Sequence, residues 1–446
     1  MGTFAKHTLI TIATQCMNIL LVLASSIVIA RILGPEGQGI YSIAFLLPTF
    51  LVIFMNLGIG PASVFYIGKK KYPLQSIAGI NIIFSLAISS GAIIVGLIAI
   101  FLWGDHLFPG IKITYLLLGL IIVPFQVFLS LLINILLGLQ NIKKYNAVYL
   151  LRDASFLCFI IILLLWFRLG ISAAIICLVL SVCFASVLAF CESVKEAEGV
   201  VFVFDKPMFK DFLNYGSKVF LNNVISFLHL RLDVFLINLL LNPVAVGYYA
   251  IAVGLSERIW LISQSAGTVL FPRVTAETDE KKLRDFTPIV CRNILLFTSI
   301  IAVLLFFMSR WLIIMFFSEQ YSSSVLPFQI LLIGTIAISG SRILANDLAG
   351  RGRLIENIYL SAFSVVINII FNIILIPRIG IPGAALATTI SYIITFAGRA
   401  IIYSKISGNR MRDVLFIKKS DCRLYLGILC EYPGFKKNNY GQCSVK

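Results

Sequence analysis

The chain has 446 residues and a formal net charge of +16, yet charged residues make up only 13% of it against 59% hydrophobic, with a mean hydropathy of +0.99. Soluble domains average about 45–50% apolar and about 25% charged residues, so a soluble globular chain is excluded. On so apolar a chain the positive charge reads as membrane topology, and nucleic-acid binding is not expected.

Uncharged apolar runs of about 20 residues, the length that crosses a bilayer core as a helix, begin at the N-terminus and continue to Ser404. They predict an all-α integral membrane protein with about twelve transmembrane helices, at 8–30, 39–67, 76–103, 113–140, 145–167, 170–191, 212–241, 246–270, 287–317, 325–350, 355–376 and 382–404. Outer-membrane barrels show short alternating segments instead. The first span is long and carries Gln15 and Asn18, so it reads as a retained helix and not a cleaved signal. Gly34, Gly37 and Gly39 follow it without the Lys-Ser/Thr of a phosphate-cradling loop, and predict a helix-breaking turn.

A polar linker at 197–211, with Asp205-Lys206-Pro207 as a helix-start signal, separates an N-terminal six-helix bundle (1–196) from a C-terminal one (212–406). In the tail, 407–446, the stretch from Arg412 to Leu429 is basic and partly amphipathic, suited to a membrane surface. The stretches 431–434 and 438–441 read as disordered, and the tail is given no transport role. Nine cysteines without a CxxC pair, and three histidines, predict neither a metal site nor a structural disulfide.

Lysine and arginine collect in cytoplasmic loops. With the N-terminus inside, Lys69, Lys70, Lys71, Lys143, Lys144, Lys281, Lys282, Arg284, Arg351, Arg353 and the basic tail all fall on one side. The other side holds only Arg31, Lys112, Arg168, Arg310 and Arg378. Both termini are therefore expected in the cytoplasm, with anionic inner-leaflet lipid as a partner.

The chain also repeats itself. Leu33-Gly34-Pro35-Glu36-Gly37-Gln38-Gly39-Ile40-Tyr41-Ser42-Ile43-Ala44 returns as Leu241-Asn242-Pro243-Val244-Ala245-Val246-Gly247-Tyr248-Tyr249-Ala250-Ile251-Ala252. Arg168-Leu169-Gly170-Ile171 returns as Arg378-Ile379-Gly380-Ile381 at nearly the same offset. Two homologous halves of six spans each predict parallel bundles flanking a central cavity, the substrate lying between the repeats as in many transporters.

Polar groups inside spans are costly, at least about 2.5–3.5 kcal/mol for a charge at mid-membrane, and therefore mark function. At about 100° per residue, Lys218, Asn222, Ser226, His229 and Asp233 share one face of the seventh span. Thr335, Ser339, Arg342 and Asn346 share a face of the tenth, and Glu257, Gln264 and Thr268 one of the eighth. Gln15 and Asn18 in the first span and Gln126, Ser130 and Asn134 in the fourth add milder faces. The candidate substrate-binding set is Lys218, Asn222, His229, Arg342, Asn346, Gln15, Asn18, Gln126 and Asn134. Asp233 and Glu257 are candidates either for binding a coupling ion, H⁺ or Na⁺, or for internal pairing, Asp233 with Arg231 and Glu257 with Arg342. Single Asn, Ser and Thr residues often only bond a neighbouring helix, and Arg231 and Arg399 are open to snorkelling or pairing.

The segment Ala30-Arg31-Ile32-Leu33-Gly34-Pro35-Glu36-Gly37-Gln38-Gly39-Ile40-Tyr41, the Arg231-Leu232-Asp233 run with Gly247-Tyr248-Tyr249-Ala250-Ile251-Ala252, Phe271-Pro272, and Gly380-Ile381-Pro382-Gly383-Ala384-Ala385-Leu386-Ala387-Thr388 resemble the polysaccharide transporters of the multidrug/oligosaccharidyl-lipid/polysaccharide exporter superfamily. These include O-antigen and capsule repeat-unit flippases. The resemblance implies a non-enzymatic flippase. Its substrate would be an undecaprenyl-diphosphate-linked oligosaccharide, moved by alternating access from the inner to the outer leaflet of a bacterial plasma membrane, with other polysaccharide assembly proteins as partners. Lys218 and Arg342 would then meet the diphosphate. Many relatives continue to fourteen spans where this chain has twelve. A multidrug antiporter of the same superfamily is the alternative, although its organic cations call for a more apolar and acidic cavity. A membrane polymerase or ligase usually carries a large outer loop, and the outer loops here are short.

Overall fold

The computed structural model describes residues 2–202, 205–276, 280–418, 421, 435–437 and 443–445. In a bilayer each backbone N–H and C=O has to be satisfied within its own segment, which leaves helices for uninterrupted apolar runs. In chain order these are α1 (Gly2–Met55), α2 (Ile59–Gly68), α3 (Leu74–Leu107), α4 (Ile113–Leu120), α5 (Ile122–Gly138), α6 (Ile142–Ile160), α7 (Gly170–Glu196) and α8 (Lys206–Leu240). They continue as α9 (Pro243–Glu257), α10 (Trp260–Ala276), α11 (Glu280–Phe317), α12 (Val325–Gly350), α13 (Leu354–Ile379), α14 (Ile381–Ser407) and the short α15 (Met411–Leu415). Two three-residue strands, β1 (Phe435–Lys437) and β2 (Cys443–Val445), pair antiparallel.

Among the described residues ten stretches are long and apolar enough to cross a membrane, and the broken pair α9 and α10 makes an eleventh. Helix α1 has 54 residues, roughly 80 Å at 1.5 Å per residue, against a bilayer core of about 30 Å. It is two crossings joined at Gly34, whose φ of 66° is left-handed. Counted so, the crossings number twelve. The expected helix-breaking turn thus shrinks to one residue, with Gly37 and Gly39 inside regular helix. The expected span 39–67 is broken after Met55, where Leu57 and Gly58 take φ of 49° and 69° before α2 resumes.

Large apolar side chains face outward, Trp166 and Phe307 at 80% exposure each, while Ser63, Asn81, Asn238 and Asn372 are sealed inside. That inversion is the signature of a chain solvated by lipid. The protein is an all-α, multi-pass integral membrane protein.

Two compact units form: one comprises Met1–Gly254, Arg310–Phe328 and Ile369–Ala387, the other Leu255–Ser309, Gln329–Asn368 and Thr388–Lys446. Within the first unit the two copies of the repeated motif meet reciprocally. A Cβ on Gly39 would lie 1.7 Å from the carbonyl oxygen of Pro243, and one on Gly247 would lie 1.9 Å from that of Pro35. Only glycine lets two backbones cross this closely. The second repeated landmark also keeps one conformation, with φ of 75° at Gly170 and 67° at Gly380.

In the second unit, Leu283, Cys291 and Leu295 of α11 pack with Ile343 and Leu344 of α12, Ala400 and Tyr403 of α14, and Val414 of α15. Beside this core the guanidinium of Arg292 forks onto the carboxylate of Asp421, both buried, and its Nη1 donates to the Asp413 carbonyl at 3.0 Å. Lys418 bonds the Asp413 side chain at 2.9 Å and, as the largest influence on it, holds that carboxyl below its ordinary range. The described start of the tail therefore packs against protein through Val414 and the Arg292–Asp421 pair. Most of 419–429, with 431–434 and 438–441, lies outside the described residues.

Candidate transport site

In the first unit, α8 presents its polar face as a gradient of burial. Asn222 and Ser226 are exposed, whereas His229 and Asp233 are buried. The side chain of Lys218 lies outside the described residues. Asp233 is held on two sides: its Oδ2 accepts from the hydroxyl of the fully buried Tyr249 at 2.5 Å, and its Oδ1 from the backbone N–H of Val234 at 2.8 Å. Tyr249 belongs to the repeated motif, and nothing in its spacing identified it as a partner for Asp233.

The α5 face gathers a second set. Asn134 donates to the Ser130 carbonyl at 2.5 Å, Ser130 to that of Val127 at 2.8 Å, and Asn56 to the Ser130 hydroxyl at 3.4 Å. The buried Oε1 of Gln126 and Oδ1 of Asn56 accept no hydrogen bond from the described residues. Asn134 packs where Gly60 leaves room, a Cβ there falling 2.5 Å from its Nδ2. Asn56 was invisible to face-counting because it sits at the helix break before Leu57 and Gly58, where helical periodicity stops. On α1, Gln15 is exposed and Asn18 half-buried, its Oδ1 likewise without a donor.

The second unit brings together Glu257, Arg342 and Asn346. Helix α9 ends at Glu257 and α10 starts at Trp260, so the eighth span is interrupted at this depth. The Arg342 guanidinium stacks on the Trp260 ring at 4.2 Å, a cation–π contact favoured where water is scarce. Tyr392 packs edge-on to the same ring at 6.2 Å. Asn346 donates to the Arg342 carbonyl at 2.9 Å and lies against Gly267. Asp347, one residue round the helix, is committed elsewhere: Thr287 donates to it at 2.5 Å and Arg351 at 2.6 Å.

Among the described residues Arg399 of α14 pairs with no acid. It is buried, and its guanidinium donates to three neutral oxygens, Ser341 Oγ at 2.8 Å, Ser361 Oγ at 2.9 Å and Asn357 Oδ1 at 3.2 Å. These bonds tie α12, α13 and α14 together. The sequence offered Arg399 as one more basic residue near a helix end; its acceptors, on two other helices, carry no local signal.

With this geometry established, the known proteins it resembles can be set beside it. Residues 28–326 match the family model described as polysaccharide biosynthesis protein. An uncharacterized membrane protein of Methanocaldococcus jannaschii is 25% identical over 384 residues, 82% of this chain and 90% of that protein. A probable low-salt glycan biosynthesis flippase of Haloferax volcanii is 27% identical over 199 residues, 42% of this chain and 41% of that one. Among solved structures, the lipid II flippase MurJ in an inward closed conformation superposes with a TM-score of 0.78 at 17% identity, over 95% of this chain and 93% of that one. An inward-facing multidrug resistance MATE family transporter of the MOP superfamily gives 0.72 at 14%, over 88% and 94%. At such identities the structural likeness shows the fold alone: a multi-pass bundle of membrane helices. The family match covers well over half the chain, which belongs to the polysaccharide biosynthesis protein family.

Proposed function

We propose that this protein is a flippase for lipid-linked oligosaccharides, carrying a polyprenyl-diphosphate-linked repeat unit from the inner to the outer leaflet by alternating access. In a bacterial plasma membrane the carrier is undecaprenyl diphosphate, and the product feeds O-antigen, capsule or exopolysaccharide assembly. The reading is carried by the family match over residues 28–326, and polar helix faces inside a membrane fold fit it. In the first unit, exposed amides and hydroxyls such as Asn222 and Ser226 suit sugar hydroxyls and Lys218 is a cation candidate for the diphosphate; in the second unit, Arg342 is the other candidate. Asp233, already bonded to Tyr249, serves as a fixed structural acceptor in this scheme, and Glu257 is the candidate for a coupling H⁺ or Na⁺. The lysine and arginine distribution supports a reading with both termini in the cytoplasm.

Deletion of the gene tests the reading. Surface glycan should disappear while polyprenyl-diphosphate-linked oligosaccharide accumulates in membrane extracts. Normal surface glycan together with new sensitivity to cationic drugs would overturn it in favour of the multidrug antiporter.

A further inference from the structure

The interruption of the eighth span is rich in hydrogen-bond donors and poor in acceptors. Among the described residues no carbonyl, hydroxyl or carboxylate takes a hydrogen bond from the guanidinium of Arg342, which lies over the face of Trp260. The indole Nε1 of Trp260, a residue only 8% exposed, also finds no acceptor. A buried donor left unused is normally costly and is retained for a ligand. Helix α10 starts at this same tryptophan, so the positive dipole end of its first turn lies at the same break.

The local charge is positive. Arg399 lies within electrostatic reach of Arg342, and its own acceptors are all neutral. Glu257 is the carboxylate within electrostatic reach of both Arg342 and Arg258. Guanidinium charges thus outnumber the carboxylate here. Interrupted membrane helices whose half-helix N-termini point into the protein are a recurrent way of holding anionic groups.

We infer that Arg342 and the Trp260 N–H, at the start of α10, form the subsite that grips the diphosphate of a prenyl-linked substrate, with Arg399 as a positioning residue that holds α12 and adds field from behind. The planar guanidinium of Arg342, held over the indole, carries paired N–H donors suited to a bidentate oxyanion. A lysine would lack both the stack and the fork. The inference rests on the flippase reading, and narrows its two cation candidates to the one in this unit.

Calorimetric titration of the purified full-length protein in detergent tests it, with farnesyl diphosphate, inorganic pyrophosphate and phosphatidylglycerol micelles as probes. Farnesyl diphosphate should bind at least about tenfold more tightly than pyrophosphate and should not be displaced by phosphatidylglycerol. Arg342→Gln should weaken it at least about tenfold, matching one lost charge-assisted bond. Trp260→Phe, which keeps a ring under the guanidinium and removes only the N–H, should weaken it several-fold while elution volume and melting temperature stay unchanged. If the wild type binds farnesyl diphosphate and both variants bind it equally well, the subsite is refuted and the flippase reading stands. Equal affinity for pyrophosphate, or displacement by phosphatidylglycerol, refutes the prenyl-diphosphate assignment. If the wild type binds no prenyl diphosphate at all, the flippase reading falls and the subsite with it.

Discussion

Gly39→Ala is expected to disrupt the protein out of proportion to one methyl group. Its Cβ would lie 1.7 Å from the Pro243 carbonyl oxygen and 3.0 Å from the Gly247 nitrogen, both backbone atoms that cannot rotate away. Gly247→Ala meets the mirror-image obstacle at Pro35. Overpacking a fitted contact typically costs about 1–3 kcal/mol, and a backbone-to-backbone clash belongs at the upper end. Each variant should lower the melting temperature by roughly 3 °C. Because both substitutions force apart the same crossing, the double variant should lose little more than either single one. Gly68→Ala is the control, since nothing lies within 4 Å of its added methyl. Thermal melts of all four proteins check this, and a Gly39→Ala melt matching Gly68→Ala would show that the repeats do not meet as described.

Asp347→Ala should be the most damaging single charge removal in the second unit. Asp347 is wholly buried, bonds Arg351 at 2.6 Å and Thr287 at 2.5 Å, and Arg351 in turn lies 5.9 Å from the Tyr403 ring. Removing the carboxylate strands a buried guanidinium, a loss of about 3–5 kcal/mol, whereas replacing both ions with apolar side chains of similar volume is often close to neutral. Asp347→Leu combined with Arg351→Met should therefore melt nearer the wild type than Asp347→Ala does. The comparison is made by scanning fluorimetry with yield of monodisperse protein as a second measure. Equal melting of the single variant and the wild type would mean that the pair contributes nothing.

The fold was legible because membrane crossings are written in long runs. Apolar length marked the crossings found among the described residues, and the two copies of the Pro-Gly motif could be paired in the sequence before they were seen to touch. The boundaries were less legible. Gly34 interrupts α1 with a single left-handed residue, and a kink that keeps helical hydrogen bonds on both sides leaves no break in hydropathy. Face-counting likewise identified the polar residues of α8, α12 and α5 but not what they do there. Arg342 stood out as a cation within an apolar run, yet Trp260 beneath it reads as ordinary membrane tryptophan, because its importance comes from a helix break two residues earlier. Arg399, Asn357, Ser341 and Ser361 are far apart in sequence and meet only once α12, α13 and α14 pack. A single chain carries no mark of such pairings. The tail's contact with protein was illegible for a related reason: the acceptor for Arg292 lies 129 residues away.

The central claim is that the protein moves a lipid-linked oligosaccharide across the bilayer. It is tested most directly by reconstituting the purified chain into vesicles holding a labelled polyprenyl-diphosphate-linked oligosaccharide and following exposure of the sugar to an added lectin over time. With wild-type protein the inner-leaflet half of the label should become lectin-accessible within minutes, and with Arg342→Gln it should stay hidden as in protein-free vesicles. Label confined to its original leaflet in the presence of folded wild-type protein, while ethidium crosses the same vesicles down an ion gradient, would contradict the account.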